Sequence, residues 1–350
     1  MMSAGYLKEH QKWTFGAVPM PTCAPDEVLV QVKRAGICSS DVNRSMSSGF
    51  YFYPIIPGHE FCGVVTEVGA EVKDSELGDR VAVYPLMACK TCPACESGHP
   101  NRCTDYNFLG SRSHGGYAEY VACPGINLVK IPDEVSFEEA AMTEPYSVTL
   151  HATKRASNFN DVDTIAVMGL GPLGFMLAQW AKIAGVKNII GFGRDELRQS
   201  IAKDVGFTQV FDTRIDEPVP TINKLTDGEG VPLIFECSGT NTLQSDSIDC
   251  AARGGEVILI GNPQHSLKID KEGTNRILRR EIKVVGSWSS KIYPENEWAE
   301  SLSYMASKQL NPSQIVSHTV PLASAGTIIE DMYLKRFAFS KVLFDPSMPA

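Results

Sequence analysis

The 350-residue sequence predicts an α/β protein in which a parallel, helix-covered sheet follows a metal-holding N-terminal half. Three observations predict this. Residues 164 to 168 read as a short buried strand that runs into Gly169-x-Gly171-x-x-Gly174 and then into a helical stretch. The later apolar runs VPLIFECSG, GEVILIG and EIKVVGS supply further strands of a parallel sheet. Four of the ten cysteines fall inside CKTCPACESGHPNRC, Cys89 to Cys103.

Composition bounds what such a chain can be. With 43% hydrophobic and 21% charged residues and a mean hydropathy of -0.10, it reads as an ordinary globular protein of one or two domains, large enough for a sizeable core. A net charge of -9 and a pI near 5.4 argue against a general affinity for nucleic acid or anionic membranes, while leaving room for a local basic pocket. The opening MMSAGYLKEHQKWTF carries charges and no apolar core of signal-peptide length, and no run of about eighteen uncharged apolar residues occurs. The expected compartment is the cytoplasm. Thiols there stay reduced, so ten cysteines suggest metal binding or chemistry rather than disulfides.

The cysteine spacing agrees. Cys89, Cys92, Cys95 and Cys103 form Cys-x2-Cys-x2-Cys-x7-Cys, which lets one loop wrap four thiolates around a tetrahedral zinc with no vacant position, a structural site. Buried unligated cysteines are the bland alternative, against which Pro93, Glu96, Ser97, Gly98, Pro100 and Asn101 mark an exposed loop. Ferredoxin-type cluster runs have other spacings, one with proline directly after the last cysteine, where this chain has Thr104.

A second donor set is mixed. AGICSSDVNRS carries Cys38, and IPGHEFCGVV carries His59 and Glu60. Thiolate, imidazole and carboxylate suit a catalytic zinc, which keeps one position open for water or substrate. A further carboxylate is needed, and Glu144 in AAMTEPYSVTLHA is the candidate, before a proline at a helix start among apolar residues. Alone, Cys38 reads as a buried thiol and Glu144 as a capping carboxylate; their combination with GHE carries the metal reading.

The glycine turn comes third. After it, Leu173, Met176, Leu177, Trp180, Ala181 and Ala184 recur at three- and four-residue steps, the stripe that a crossover helix buries on a sheet. Strand, turn and helix start make a dinucleotide site from Gly169, Gly171, Pro172, Leu173 and Gly174, where backbone N–H groups and the helix dipole meet a pyrophosphate.

With GHEFCGVV, GDRVAV, the four-cysteine loop, GGYAEY and GLGPLG in this order, the chain resembles the zinc-dependent medium-chain dehydrogenases over its whole length. The resemblance implies a GroES-like β-barrel catalytic domain over residues 1–152 with both zinc sites, a Rossmann dinucleotide-binding domain over 153–289, and a segment 290–350 that returns to complete the first. FLGSRSHGGYAEY, TEP and the late GSW are most similar to the polyol dehydrogenase branch, the galactitol-phosphate enzymes among them. From the resemblance, Cys38, His59 and Glu144 are metal ligands, Glu60 is a ligand or a water-linked carboxylate, and Ser40 relays the substrate alcohol's proton toward solvent. The implied reaction moves a hydride between a secondary carbinol and nicotinamide C4, aided by a Lewis-acidic zinc. The competing reading of Ser40 is a Ser-Ser-Asp turn in which Asp41 caps a helix, and Asp41 stays outside the catalytic set.

Cofactor choice departs from the family's NAD pattern. Where NAD-dependent members place an acidic residue at the end of the second Rossmann strand, NIIGFGRDELR places Gly193, then Arg194. A missing carboxylate with guanidinium groups at Arg194 and Arg198 favours NADP. NAD is the alternative, with Asp195 on the ribose if the loop shifts, and galactitol-phosphate enzymes are generally NAD enzymes. Asp195 otherwise caps the helix ELRQSIAKDVG.

For the substrate, Arg112 in GSRSHGG offers a planar fork suited to phosphate, with His114 nearby; the alternative is a solvated loop arginine. A polyol phosphate and an unphosphorylated polyol such as sorbitol or xylitol both remain open. A non-catalytic nucleotide-binding protein of the same fold is the remote alternative, disfavoured because Cys38, His59 and Glu144 are all present. The expected partners are the small-molecule substrate and further copies of the chain, as a homodimer or homotetramer.

Overall fold

The computed structural model describes residues 1–349. It forms two compact units, one from Met1–Ser147 with the segment from Ser290 onward, the other Val148–Ser289. The division falls inside the helix Thr143–Arg155. Both parts of the expected fold class are present.

The second unit is built on six parallel strands in the order Gln209–Asp212, Asn188–Gly193, Thr164–Met168, Val231–Glu236, Ala251–Leu259, Lys283–Gly286. Ile165, Ala166, Val167 and Met168 are all buried, as are Leu233, Ile234 and Phe235. Such continuous apolar runs belong to strands covered on both faces. The chain winds outward from Thr164–Met168 in both directions, so the order reverses at that strand's carboxyl end, where the glycine turn sits. The helix Pro172–Ile183 follows, with proline at its first turn. It buries Phe175, Ala178 and Gln179 as well as the stripe residues Met176, Leu177, Trp180 and Ala181. A helix covered this widely shows a broader apolar face than its three- and four-residue periodicity marks.

The first unit holds a seven-stranded, mainly antiparallel sheet. Its path runs Val316–Pro321, Lys341–Asp345, Glu27–Gly36, Glu60–Val68, Arg80–Val83, Leu128–Lys130, and Tyr120–Pro124 also pairs with Glu27–Gly36. Val28, Val30 and Val32 alternate into one core with Phe61, Val65, Val81, Val83, Val342 and Phe344. The last strand pairs antiparallel with the third, Leu343 opposite Gly36 and Phe344 opposite Ala35. The C-terminal segment thus returns to the first unit. Among the described residues, no helix is long and apolar enough to cross a membrane.

Candidate metal centres and dinucleotide turn

The four-cysteine loop folds through two short turns. Cys92 precedes the helical turn Pro93–Glu96, and Pro100–Arg102 leads into Cys103. All four sulfurs lie within 4.8 Å of one another, Cys92 to Cys95 at 3.5 Å and Cys92 to Cys103 at 3.9 Å. Zinc–thiolate bonds of about 2.3 Å in a tetrahedron separate the sulfurs by about 3.8 Å. The loop fits that shape. All ten cysteines are free thiols. Backbone N–H groups of Cys95 and Thr104 lower the Cys92 thiol to about 6, whereas burial and then the neighbouring sulfurs raise Cys95 to about 12. Without a cation the four cannot all ionise; a divalent metal removes that conflict.

The second donor set follows from strand register. Gly36 stands opposite Glu60 in the antiparallel pair Glu27–Gly36 and Glu60–Val68, so Cys38, just past one strand, meets His59, just before the other. Ligand atoms of Cys38, His59 and Glu60 lie within 4.8 Å of one another. A side chain at residue 36 would overlap the Glu60 carboxylate. Gly58 has φ +95°, and the Tyr117 ring fills the place of a Cβ there. Only glycine meets both demands.

Behind His59 stands a carboxylate that the sequence reading left out. Asp41 is 1% exposed; its Oδ1 is 3.2 Å from His59 Nδ1, and its Oδ2 accepts a hydrogen bond from the Tyr117 hydroxyl at 2.9 Å. Asp41 is therefore no helix cap, which removes the competing reading of the Ser-Ser-Asp turn. Cys38 occupies the N-cap of Ser39–Asn43 without a side-chain cap bond, and Asp41 sits inside the first turn, facing inward. With Nδ1 held by Asp41, the ring presents Nε2 to the donor set, the arrangement that orients a metal-binding imidazole. Burial favours the neutral ring, but the charges of Asp41 and Cys38 outweigh it and hold His59 well above its ordinary value. Ser40, half-buried, lies in the same short helix.

Glu60 has a cationic partner from the far end of the chain. Lys341, 3% exposed on the last strand, forms an ion pair with Glu60 Oε2. Glu144, in the first turn of Thr143–Arg155, is buried and outside the 4.8 Å donor group. Burial raises its carboxyl to about 7, with His59 opposing and Glu60 adding to the shift.

In the second unit, Gly169 has φ +114° and its N–H donates to the Phe192 carbonyl at 3.0 Å. A Cβ at Gly174 would overlap the Gly169 carbonyl, whereas one at Gly171, the N-cap of Pro172–Ile183, would meet nothing within 4 Å. Close packing behind the turn and open space before the helix N-terminus are what a pyrophosphate cradle needs. Leu173 follows Pro172 in the helix's first turn. At the end of the second strand, a Cβ on Gly193 would come within 2.7 Å of Leu170 Cβ and Cγ. Arg194 is exposed and forms no ion pair among the described residues. The Asp195 side chain accepts from the Arg198 N–H at 3.1 Å, capping Glu196–Val205. Arg198 is half-buried, and burial lowers its guanidinium from the ordinary range.

Residues 24–133 match the model of the alcohol dehydrogenase GroES-like domain, and residues 172–307 match that of the zinc-binding dehydrogenases. Galactitol 1-phosphate 5-dehydrogenase of Escherichia coli K12 is 30% identical over 309 residues, 88% of this chain and 89% of its own length. The chain belongs to the zinc-dependent medium-chain dehydrogenases. Sorbitol dehydrogenase of Halalkalibacterium halodurans is 34% identical over 305 residues, covering 86% of each chain. The crystal structure of galactitol-1-phosphate dehydrogenase from E. coli matches with TM-score 0.93, 28% identity and coverage of 99% and 100%. A zinc-binding dehydrogenase from Sinorhizobium meliloti 1021 bound to NADP matches with TM-score 0.91 and 29% identity over 99% of both chains. This is a polyol-dehydrogenase-type zinc oxidoreductase family.

In this medium-chain dehydrogenase, the positions that sequence reasoning missed are Asp41, Tyr117 and Lys341. Asp41 carried a signal, an acid three residues after Cys38, that capping explained away. Lys341 showed only as the charge before the apolar run VLF in the strand KVLFD.

Two expectations follow. Cys103→Ser should remove about one zinc per chain and lower the melting temperature; unchanged metal content by elemental analysis would refute the closed four-thiolate site. Lys341→Met leaves Glu60 buried without its cation and should destabilise the chelator-treated protein by about 3 to 5 kcal/mol. The loss should be smaller with zinc present, because Glu60 then regains a positive partner. Denaturant unfolding with and without zinc reads both values.

Proposed function

We propose that the chain transfers a hydride between a secondary hydroxyl of a polyol or polyol phosphate and a nicotinamide cofactor, with NADP favoured over NAD. The observation that carries the reading is the mixed donor set of Cys38, His59 and Glu60, with Asp41 behind the imidazole and Lys341 beside the carboxylate. An intact constellation of this kind is not needed by a protein that only binds nucleotides. Zinc held by Cys38, His59 and either Glu60 or Glu144 would supply a Lewis acid that makes a bound hydroxyl more acidic.

The chain's own residues do the rest. Asp41 keeps the His59 tautomer with Nε2 toward the donor set. Ser40, two residues beyond Cys38, accepts the substrate hydroxyl's proton and passes it toward solvent. Glu144, with its carboxyl raised to about 7 by burial, is poised to exchange a proton near neutrality or to ligate when ionised. Four thiolates at Cys89, Cys92, Cys95 and Cys103 hold a second zinc that stiffens the loop.

For the cofactor, three features support NADP. Leu170 fills the space that a carboxylate at residue 193 would need, Arg194 is free of ion pairs among the described residues, and Asp195 is occupied as a cap. The NADP-bound relative from S. meliloti supports the same choice. NAD remains the second reading, with Asp195 on the ribose if the loop shifts. The names of relatives point both to a polyol phosphate and to a free polyol such as sorbitol.

His59→Ala should abolish turnover of polyols while leaving NADP affinity, measured by fluorescence titration, nearly unchanged, because the cofactor turn belongs to the other unit. Ser40→Ala should reduce kcat less and shift its pH profile; an unaltered profile would remove the relay role. Arg194→Ala should weaken NADP binding by about tenfold to a hundredfold and leave NAD nearly as it was, the usual effect of losing a charge-assisted contact. A wild-type preference for NAD that Arg194→Ala does not change would move the assignment to Asp195. Gly193→Asp alone meets both Cβ and Cγ of Leu170, so a switch toward NAD should need Leu170→Gly as well.

A further inference from the structure

Two arginines of the first unit converge on one tyrosine beside the metal donors. The Arg112 guanidinium lies 4.6 Å from the Tyr51 ring centre and 4.5 Å from that of Tyr106. Arg44 lies 5.1 Å from the Tyr51 ring centre. Neither guanidinium forms an ion pair with a carboxylate among the described residues. The chain has nine more acidic than basic side chains, yet both cations that face Tyr51 are left without a carboxylate among the described residues. Like charges brought together repel unless an anion joins them.

Their place relative to the metal donors is also defined. The His59 ring contacts Phe108 at 5.6 Å between centroids, Phe108 contacts Tyr106 at 6.4 Å, and Tyr106 carries Arg112. From the other side, Arg44 follows Ser39–Asn43 in continuous helical backbone, four residues after Ser40. Residues four apart share a helix face, about 6 Å along the axis. Arg44 therefore stands one helical turn from the proposed proton relay, and Arg112 is linked through Tyr106 and Phe108 to a proposed metal ligand.

We propose that Arg44, Arg112 and the Tyr51 hydroxyl form an anion subsite for the phosphate of a polyol phosphate whose reacting hydroxyl sits several carbons away, near Ser40 and His59. This rests on the dehydrogenase reading above and selects the phosphorylated substrate within it. Guanidinium forks match phosphate oxygens in geometry and stay charged at any working pH. Stacking on Tyr51 and Tyr106 holds the forks in place before the ligand arrives, which reduces the ordering needed on binding. The tyrosine reports the same field. Partial burial raises the Tyr51 phenol, yet Arg44 and Arg112 outweigh it, so the net shift is downward. A phenol in such a field donates a stronger hydrogen bond to an anion. Tyr51 is 57% exposed, leaving the group accessible.

The test uses the zinc-loaded, full-length enzyme. Values of kcat/KM are compared for hexitol and pentitol phosphates and their dephosphorylated parents, in the wild type, Arg44→Gln, Arg112→Gln and the double variant. The wild type should prefer a phosphorylated polyol by at least about tenfold, and each single variant should cut that ratio by about tenfold to a hundredfold. Arg112→Lys, which keeps the charge and loses the fork, should retain part of it. NADP affinity serves as the check that each variant is folded. A wild-type preference for the parent polyol, or a phosphate preference that survives in the double variant, would overturn the proposal.

If no polyol of either kind is turned over, the dehydrogenase reading fails, and calorimetric titration of inorganic phosphate still judges the subsite. That titration is run with NADP saturating, so that the cofactor's own phosphate site is filled. Phosphate binding to the wild type that disappears in the double variant supports the subsite. No binding, or binding that the double variant retains, overturns it.

Discussion

Negative charge buried around Cys38 is the constraint on which the first unit depends. Asp41, Glu60 and Glu144 are 1%, 2% and 8% exposed, next to a thiol that ligates metals as a thiolate. An ionised carboxylate taken from water into an apolar interior is so costly that it must be neutralised, hydrogen-bonded or paired. The molecule uses each remedy. Tyr117 donates to Asp41, Lys341 pairs with Glu60, and Glu144 has its carboxyl raised to about 7 by burial. His59 joins the set as a proton carrier when no cation is present, and as a neutral ligand when one is. The return of the C-terminal segment is thus an electrostatic requirement as well as a packing one, because the strand Lys341–Asp345 brings the only lysine in this cluster.

Proton and metal compete for the same pocket. The acidic surroundings hold His59 well above its usual value, and burial holds Glu144 high. Loading a divalent cation must displace protons from whichever of these groups ligate it, so affinity falls as pH is lowered. The four-cysteine loop faces the same competition with different groups. There Cys92 ionises easily and Cys95 resists, and one thiol's burial works against its neighbours' charges until a metal is shared among them. A closed shell of four sulfurs leaves no position for substrate, while the mixed shell leaves one, so equal competition yields different uses.

What could be read from the sequence was what is local. The four cysteines lie within fifteen residues, and their spacing already describes a loop closing on one ion. The glycine turn lies between a strand and a helix that adjoin it in sequence, and the parallel strands show as unbroken apolar runs because both faces are covered. Cys38, His59 and Glu60 could be grouped by donor chemistry alone. Partners supplied by tertiary contact could not. Asp41 after two serines has the same local appearance as a helix cap, and only the strand register that sets Cys38 at the N-cap turns Asp41 inward to His59. Tyr117 and Lys341 come from other strands and loops; GGYAEY marked the first only as part of a family resemblance, and nothing around the second tied it to Glu60. At Gly193 the missing acid was visible, but not that Leu170 occupies the place where it would stand.

An acidic protein with the phosphate sites proposed above is consistent once distance is considered. At physiological ionic strength charges are screened over about 8 Å, so the net charge of -9 weakly affects a phosphate already at a site. What decides affinity there is the handful of cations within reach and whether they are already neutralised. Several basic groups are already taken: Arg214 by Asp212, Arg276 by Asp249, Lys283 by Glu256, Arg34 by Asp345. Arg194 at the end of the second parallel strand, and Arg44 with Arg112 near the metal donors, are not. Arg194 stands at the end of the strand beside the glycine turn, and Arg44 and Arg112 stand against Tyr51 and Tyr106. Leaving those guanidinium groups unpaired costs the free protein some stability through uncompensated charge. It makes each of them available to an anion without first breaking an internal ion pair, which is the condition for an acidic chain to bind phosphate selectively at a few points.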